Sequence, residues 1–397
     1  MEKFKLEPLK NNVEEMFIGP FGSSLKNDCF VGESDAFCMV YEQKHAIQKT
    51  MDVETRYINE KKYNELKRFN VRGGDIIVSC RGTIGETFVV PDNAPLGIMH
   101  PSIMKIRLKD GVYDKGYFND LLYTRLKKHE AEANGSGVKM AISANKLGEE
   151  FFPVPSIQQQ KEIEGQLSLA RKIISQREEE LSALDNLIKA RFVELFGTLH
   201  DNENGFDVVT IDDVCSLIKD GTHQTPQYTE DKESGYKFLS SKDVMSQKID
   251  WTDIRYIPSE LHEKLYATIR PQRNDVLMSK NGVNYGVAAV NDTDEVFDIY
   301  VSLALLRPKE IIDPVFLRCV INNPETKRQF DSSIKGIGVP NLHLGEIKKT
   351  KIFLPPMELQ KEFVSFTEQV DKSKVAVQKS LEETQTLFDS LMQEYFG

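Results

Sequence analysis

The 397-residue chain is written twice, and that duplication limits its fold more than any other feature. Gly74-Asp75-Ile76-Ile77-Val78-Ser79 returns as Asn274-Asp275-Val276-Leu277-Met278-Ser279. Gly82 is followed by Gly85, and Gly282 by Gly286. Gly135-Ser136-Gly137-Val138 returns as Gly336-Ile337-Gly338-Val339, Val154-Pro155 as Leu354-Pro355, and Gln160-Lys161-Glu162 as Gln360-Lys361-Glu362. Glu194, Phe196 and Gly197 close the first copy as Glu394, Phe396 and Gly397 close the second. The offset stays at 200 or 201 and the order is kept, which isolated matches would not do.

Each copy has two parts. The first is mixed α and β: short β-branched or aromatic runs broken by Gly, Pro and Asn read as strands at Asp75–Ser79, Thr87–Val90, Ile103–Leu108, Val276–Ser279, Val287–Val290 and Ile299–Leu306. Lys115–Glu132 and Asp313–Phe330 read as helices packed alongside. The second part is one long helix, whose start at Ile157 follows Pro153 and Pro155 and a Ser156/Gln159 capping box. The expected organisation is one mixed domain over residues 1–155, a spacer helix over 156–197, a second domain over 198–355 and a second spacer helix over 356–397. In fold class this is α+β, with two pseudo-repeated mixed domains separated by two long helices.

The helices carry a further signal. Alternating steps of four and three from Ile163 give Leu167, Ala170, Ile174, Arg177, Leu181, Leu184, Ile188, Arg191 and Leu195, and eight of these ten are apolar. From Phe363 the same steps give Thr367, Val370, Lys374, Val377, Leu381, Thr384, Phe388, Leu391 and Tyr395, of which seven are apolar or aromatic. A stripe at 3.5 residues per turn drifts off a straight helix unless a partner helix follows it. Each helix is the obvious partner of the other, as an antiparallel coiled coil. A helix of about 40 residues rises about 60 Å, too long to serve only as packing for a domain of this size.

Two heads on such a strut suit a periodic ligand. Duplex DNA presents equivalent major-groove sites about 34–36 Å apart. The copies differ most between Met1–Arg72 and Gly205–Arg273, so the heads are expected to read different half-sites around an unread gap. The net charge of −10 sits awkwardly with this, since phosphate binding favours a basic face. The first 156 residues hold 22 basic and 22 acidic side chains, and no other segment is net basic either, so a DNA-facing surface must be a local patch.

The residues reached by this argument resemble a known family. Lys219-Asp220-Gly221-Thr222-His223-Gln224-Thr225-Pro226-Gln227-Tyr228, followed by Phe238-Leu239-Ser240-Ser241-Lys242-Asp243-Val244, is similar to the start of target-recognition domains in type I restriction-modification specificity subunits. So is Gly19-Pro20-Phe21-Gly22-Ser23-Ser24-Leu25-Lys26. The resemblance spans essentially the whole chain in the family order of domain, helix, domain, helix. It implies a DNA-reading subunit that joins two modification subunits and, for cleavage, restriction subunits. S-adenosylmethionine, ATP and Mg2+ would then belong to those partners, none to this chain, and the partners would supply phosphate-neutralising surface.

Candidate DNA contacts follow from side-chain chemistry. Gly221, Thr222, His223, Gln224 and Thr225 form a polar loop suited to base edges, or an ordinary capped turn. Gly22, Ser23, Ser24 and Lys26 are the analogous loop of the first copy, where the hydroxyls could instead cap a helix at Leu25. Tyr41, Gln43 and Lys44 follow a hydrophobic strand. Arg81, and Lys280 with Asn281, sit at equivalent strand ends, while Lys242 lies in the family-like string. Ser136, Lys139 and Lys335 are candidate phosphate contacts in the Gly-x-Gly loops.

Catalytic signatures are wanting. The chain has no G-x-x-x-x-G-K-[ST] and no G-x-G-x-x-G after a strand. Asn322-Asn323-Pro324-Glu325 lacks the aromatic that stacks on a flipped base. Glu60-Lys61-Lys62 and Glu346-Ile347-Lys348 have nuclease-like spacing without a partnering acidic strand. Five dispersed cysteines and seven dispersed histidines suggest neither a disulfide framework nor a metal site. With no leader-like or membrane-length apolar run, a cytoplasmic protein without catalysis of its own is expected. A coiled-coil adaptor for proteins remains the competing reading.

Overall fold

The computed structural model describes residues 4–135, 143–334 and 340–397. The chain divides into two compact units: Met1–Glu178 with Lys379–Gly397, and Glu179–Gln378. Each unit therefore joins one head to the opening half of the long helix that follows it and to the closing part of the other long helix.

In the first unit, Val13–Ile18, Ile103–Leu108, Ile76–Ser79 and Thr87–Val89 pair in that order as an antiparallel sheet. A second sheet orders Tyr57–Ile58, Cys38–Tyr41, Gly97–Met99 and Asn70–Val71, its central pair parallel. The run Ile76–Ser79 is apolar almost throughout because both of its faces are covered. Ile76 and Val78 pack with Phe118, Leu121 and Leu122 of the helix Lys115–Gly135. Ile77 points the other way, among Met39, Tyr41 and Ile103. Leu6–Pro8 and Phe151–Pro153 add a two-stranded ribbon.

The second unit repeats this plan. Cys215–Asp220, Leu303–Pro308, Val276–Ser279 and Ala288–Val290 form the antiparallel sheet, and Arg255–Ile257, Tyr236–Leu239 and Phe297–Ile299 the other. Registers repeat at the expected offset, with Ile76 opposite Ile106 and Val276 opposite Leu306. The repeated Asp is structural in both copies. Asp75 takes a two-pronged bond from Arg107 (2.7 and 2.7 Å), and Asp275 takes one from Arg307 (2.8 and 2.8 Å). The residue before each Asp, Gly74 or Asn274, has positive φ (82° and 72°), which suits Gly and Asn best.

Two expected elements are corrected. Asp313–Phe330 is not one helix but Pro314–Ile321 and Pro324–Ser333. Pro324 has no N–H to continue the first helix, and the Asn323 side chain accepts from the Glu325 N–H to begin the second. Ile299–Leu306 is likewise two strands, because the chain turns at residues 300–302 and passes from one sheet to the other.

Both long helices, Ile157–Phe196 and Met357–Phe396, run for 40 residues. Every stripe position named above is buried or half-buried, while Leu169, Leu187, Val193, Val375 and Leu387, all off the stripe, are exposed. Within each unit the two helices meet antiparallel. In the first unit the Tyr395 hydroxyl donates to Gln166 (2.8 Å) and Arg171 lies over the Phe388 ring. In the second, Lys374 pairs with Asp185 (2.5 Å), Arg191 with Glu362 (2.7 Å) and Phe192 with Phe363. The Ser156/Gln159 capping box is formed as read.

A fully buried glutamine roots each helix on its head. Gln160 accepts from the Asp114 N–H (2.8 Å) and donates to the Val112 and Pro155 carbonyls (3.0 and 2.9 Å). Gln360 makes the same three bonds with Asp313, Ile311 and Pro355 (2.8, 3.2 and 2.8 Å). In Gln360→Leu these backbone groups lose their partner, at about 1–3 kcal/mol for each buried group left unsatisfied. Urea unfolding of Gln360→Leu should show a loss of roughly 3 kcal/mol, whereas Lys361→Leu on the exposed face next to it stays within about 0.5 kcal/mol.

The seam between the first head and its helix holds a half-buried acid, Glu164. Burial, reinforced by Asp120, raises Glu164 to about 7 against the pull of Arg171. A carboxyl whose folded pKa exceeds its unfolded value stabilises the fold at low pH and loses that contribution as pH rises through the folded pKa. Stability should therefore fall between about pH 4.5 and 7. Glu164→Gln should flatten this slope and raise the melting temperature at pH 8; an unchanged slope would refute the assignment to Glu164.

Candidate nucleic-acid interface

In the second unit the strand Cys215–Asp220 ends at the edge of the sheet and releases the loop that follows. Gly221 is buried and pressed on the neighbouring turn: a Cβ there would lie 2.0 Å from the Ile299 carbonyl oxygen. The Gly221 N–H donates to the Leu303 carbonyl (3.2 Å) and the Thr222 N–H to Ile299 (3.1 Å), while the Thr222 carbonyl accepts from Val301 (3.0 Å). Past this clamp, His223, Gln224 and Thr225 are exposed. The Thr222 hydroxyl accepts from the Gln224 N–H (3.2 Å), so one of its lone pairs shapes the loop.

Lys280 and Asn281, at the end of the strand Val276–Ser279, come to the same place. The Lys280 N–H donates to Ser302 (2.8 Å), and its carbonyl accepts from Leu342 (2.8 Å). Asn281 bridges to Asn341, and the Gly282 N–H donates to Pro340 (3.0 Å). The loop after Asp220, the turn at 300–302, the strand end at 280–282 and the segment 340–342 thus meet at one edge of the head. Lys280 itself is buried and bound to Asp220 at 2.6 Å. That corrects the expectation that its ammonium faces a duplex. Lys242 is half-exposed and held by Asp253 (2.6 Å), whose hydrogen bond raises its pKa.

The first unit makes a similar edge from other residues. Its counterpart of Gly221 is Gly19, where a Cβ would lie 2.3 Å from the His100 carbonyl oxygen and whose N–H donates to Ile103 (2.9 Å). Gly22, Ser23 and Ser24 then form a 3₁₀ turn with no side-chain cap, so the alternative reading as a helix cap fails. Gly22, Ser23 and Lys26 are exposed and Ser24 is half-exposed. Arg81 is exposed, and Gln43 lies against the nearby turn at Gly82. Lys44 pairs with Glu42 (3.1 Å). Tyr41 must be withdrawn as a candidate: it is wholly buried in the core, and its hydroxyl donates to the Pro95 carbonyl. Ser136, Lys139 and Lys335 lie outside the described residues.

Composition gave no warning of two further features. Phe21 and Val283, each beside a candidate loop, are 87% and 86% exposed. Apolar side chains placed so can meet thymine methyl groups or wedge at a base step. Asp220, at the root of the polar loop, is held by Lys280 and by the exposed His223 (3.4 Å).

Features of an enzyme centre are scarce. Among the described residues no three His, Cys, Asp or Glu side chains gather as metal ligands. Burial pushes the Cys80 thiol up to about 11 and so leaves it a poor nucleophile. The buried pair His262 and Asp298 (2.7 Å) is sandwiched against Tyr236 at 3.6 Å, and among the described residues no hydroxyl or thiol is hydrogen-bonded to it. No helix among the described residues is long and apolar enough to cross a membrane.

Comparison with known proteins gives one answer. The model of the type I restriction modification DNA specificity domain matches residues 26–183 and again residues 203–384. The EcoBI type I restriction enzyme specificity subunit of Escherichia coli is 22% identical over 351 residues, 81% of this chain and 73% of that protein. The MjaVIII specificity subunit of Methanocaldococcus jannaschii is 23% identical over 325 residues, 77% and 74% of the two chains. In fold, the chain is similar to the S subunit of a type I restriction-modification system from M. genitalium (TM-score 0.57, 14% identity, covering 100% of this chain and 96% of that one). It is equally similar to a chain from a structural study of type I restriction-modification complex assembly (TM-score 0.58, 16% identity, 100% and 98%).

The clamp at Gly221 predicts a sharp local effect. Gly221→Ala forces its new methyl group into the Ile299 carbonyl and should detach the loop without unfolding the head. Amide exchange should rise at Thr222 and Val301 while Leu277 and Leu305 in the core stay protected.

Proposed function

The chain belongs to the type I restriction-modification DNA specificity family, and from that premise we propose that it is the subunit that chooses the DNA sequence, reading an asymmetric two-part target. One observation carries this reading. Two heads share a backbone frame at an offset of 200 yet present different residues where the chain leaves the edge strand, Gly19-Pro20-Phe21 in one and Gly221-Thr222-His223 in the other. An invariant frame with variable tips is what reading two different half-sites demands.

In this reading the exposed tips face base edges, Phe21 and Val283 supply apolar contact, and the paired helices set the unread gap. Of the candidate cations among the described residues, Lys44, Lys242 and Lys280 are held in ion pairs, and Lys26 and Arg81 are the ones assigned to phosphate. Methylation and cleavage belong to modification and restriction subunits assembled on this chain. S-adenosylmethionine, ATP and Mg2+ are placed there, and this chain works without catalysis of its own in the cytoplasm. A protein-binding adaptor would use the same helices but has no need of two differently tipped heads.

The test uses the full chain purified with its methylating partner and a pool of randomised duplexes. The wild type should select a two-part motif. Replacing Thr222 and His223 together by Ala should weaken one half of that motif, at roughly 1–3 kcal/mol per lost base-pair contact, and spare the other half. Equal loss in both halves would make the loop a structural element, and selection of no motif at all would favour the adaptor.

A further inference from the structure

We infer that Asp220 is a specificity-determining residue of the second head, accepting a hydrogen bond from the exocyclic amino group of a base while the buried Lys280 neutralises it from behind. This rests on the reading of the loop after Asp220 as DNA-facing.

Three observations carry it. The first is the joint between the two strand ends. In the second unit Asp220 and Lys280 meet with Nζ 2.6 Å from Oδ2, the lysine side chain being only 5% exposed. The corresponding positions in the first unit are Ile18 and Cys80. The same joint, with the same glycine pressed on the same turn, is therefore made without charge. A buried ion pair also gains little stability over an apolar one. The fold does not need the acid, so its presence calls for another reason.

The second observation is the carboxylate's orientation. Lys280 and the exposed His223 (Nε2, 3.4 Å) both lie on Oδ2. Among the described residues Oδ1 accepts no hydrogen bond. Asp220 borders a concavity of about 330 Å³ that Gly221, Thr222 and Gln224 also line. One oxygen is thus held by the protein, while the other has no hydrogen-bond partner among the described residues and the side chain is 22% exposed.

The third is electrostatic. A bare carboxylate beside a duplex is repelled by phosphates. With Lys280 fixed at contact distance, the pair carries no net charge, and the acid can approach base edges. A carboxylate only accepts, so in the major groove it suits adenine N6 or cytosine N4 and rejects the keto oxygens of guanine and thymine.

The test compares variants of the full chain, each assembled with its methylating partner, on randomised duplexes. Asp220→Asn puts an NH2 where only acceptors stood. It should relax one position of one half-site from an amino-bearing base to tolerance of keto bases, losing roughly 5- to 150-fold in discrimination. The wild-type preference at that position states whether adenine or cytosine is read. Lys280→Met should weaken binding to every duplex, more so at low salt, with the base preference kept. Lys280→Met with Asp220→Asn should recover affinity but not preference. If Asp220→Asn leaves every preference intact while the Thr222 and His223 replacement still costs one half-site, the inference fails and the reading of the loop survives. If neither changes the selected motif, the reading of the loop fails with it. Should Lys280→Met fold poorly, Asp220→Asn alone decides.

Discussion

Everything the heads do depends on how firmly each is rooted to a long helix, and a fully buried amide lies at the centre of that root. Gln160 and Gln360 each satisfy one N–H and two carbonyls that the loop before the helix and the helix entry would otherwise leave unpaired. One of the two carbonyls, from Pro155 or Pro355, belongs to the helix entry itself, and the N–H and other carbonyl belong to the head. The amide therefore couples the direction of the helix to the orientation of the sheet. An apolar side chain of equal size would fill the space but could not fix the angle. Looseness at the root of a helix about 60 Å long grows along its length, so a ruler made of helices needs a polar root.

The same economy explains how an acidic chain can belong to a DNA-reading family. Many head cations are committed internally: Arg107 and Arg307 to Asp75 and Asp275, Lys280 to Asp220, Lys242 to Asp253. These pairs hold turns and strand ends in place rather than facing outward as free cations. The heads are freed to discriminate, a task for donors, acceptors and apolar contacts held in fixed positions.

Much of this was legible in the sequence. The duplication, the 3.5-residue stripes and the Ser156/Gln159 cap are local or periodic signals, and each appears in the fold where the spacing put it. What sequence could not weigh was competition between neighbours in space. Tyr41 reads as a polar-tipped residue at a strand end, but its sheet packs it against Ile77 and Ile103 of the first sheet. Lys280 reads as a free cation until Asp220, 60 positions away, is seen to hold it. The turn at residues 300–302 is hidden inside an apolar run because both flanking strands are buried, one in each sheet. The apolar pattern runs on past Ile321, but Pro324, with no N–H to continue the helix, divides it there.

Duplication followed by divergence also explains where the differences lie. Residues that set backbone geometry change least: Gly74 and Asn274 differ in name but share the left-handed conformation, and the Asp that follows keeps its Arg. Residues just beyond the clamped glycines are free of that demand, because Gly19 and Gly221 take the whole steric burden of the close approach. Two positions along, the Phe21 and His223 side chains are exposed, and their identity costs the fold little. Recognition can therefore be rewritten at the tips while the joint stays intact, and the Asp220–Lys280 pair marks a case where rewriting reached back into the joint. An ion pair stands there where the first head has Ile18 and Cys80, a difference that stability alone does not favour and that a hydrogen bond to a base would explain.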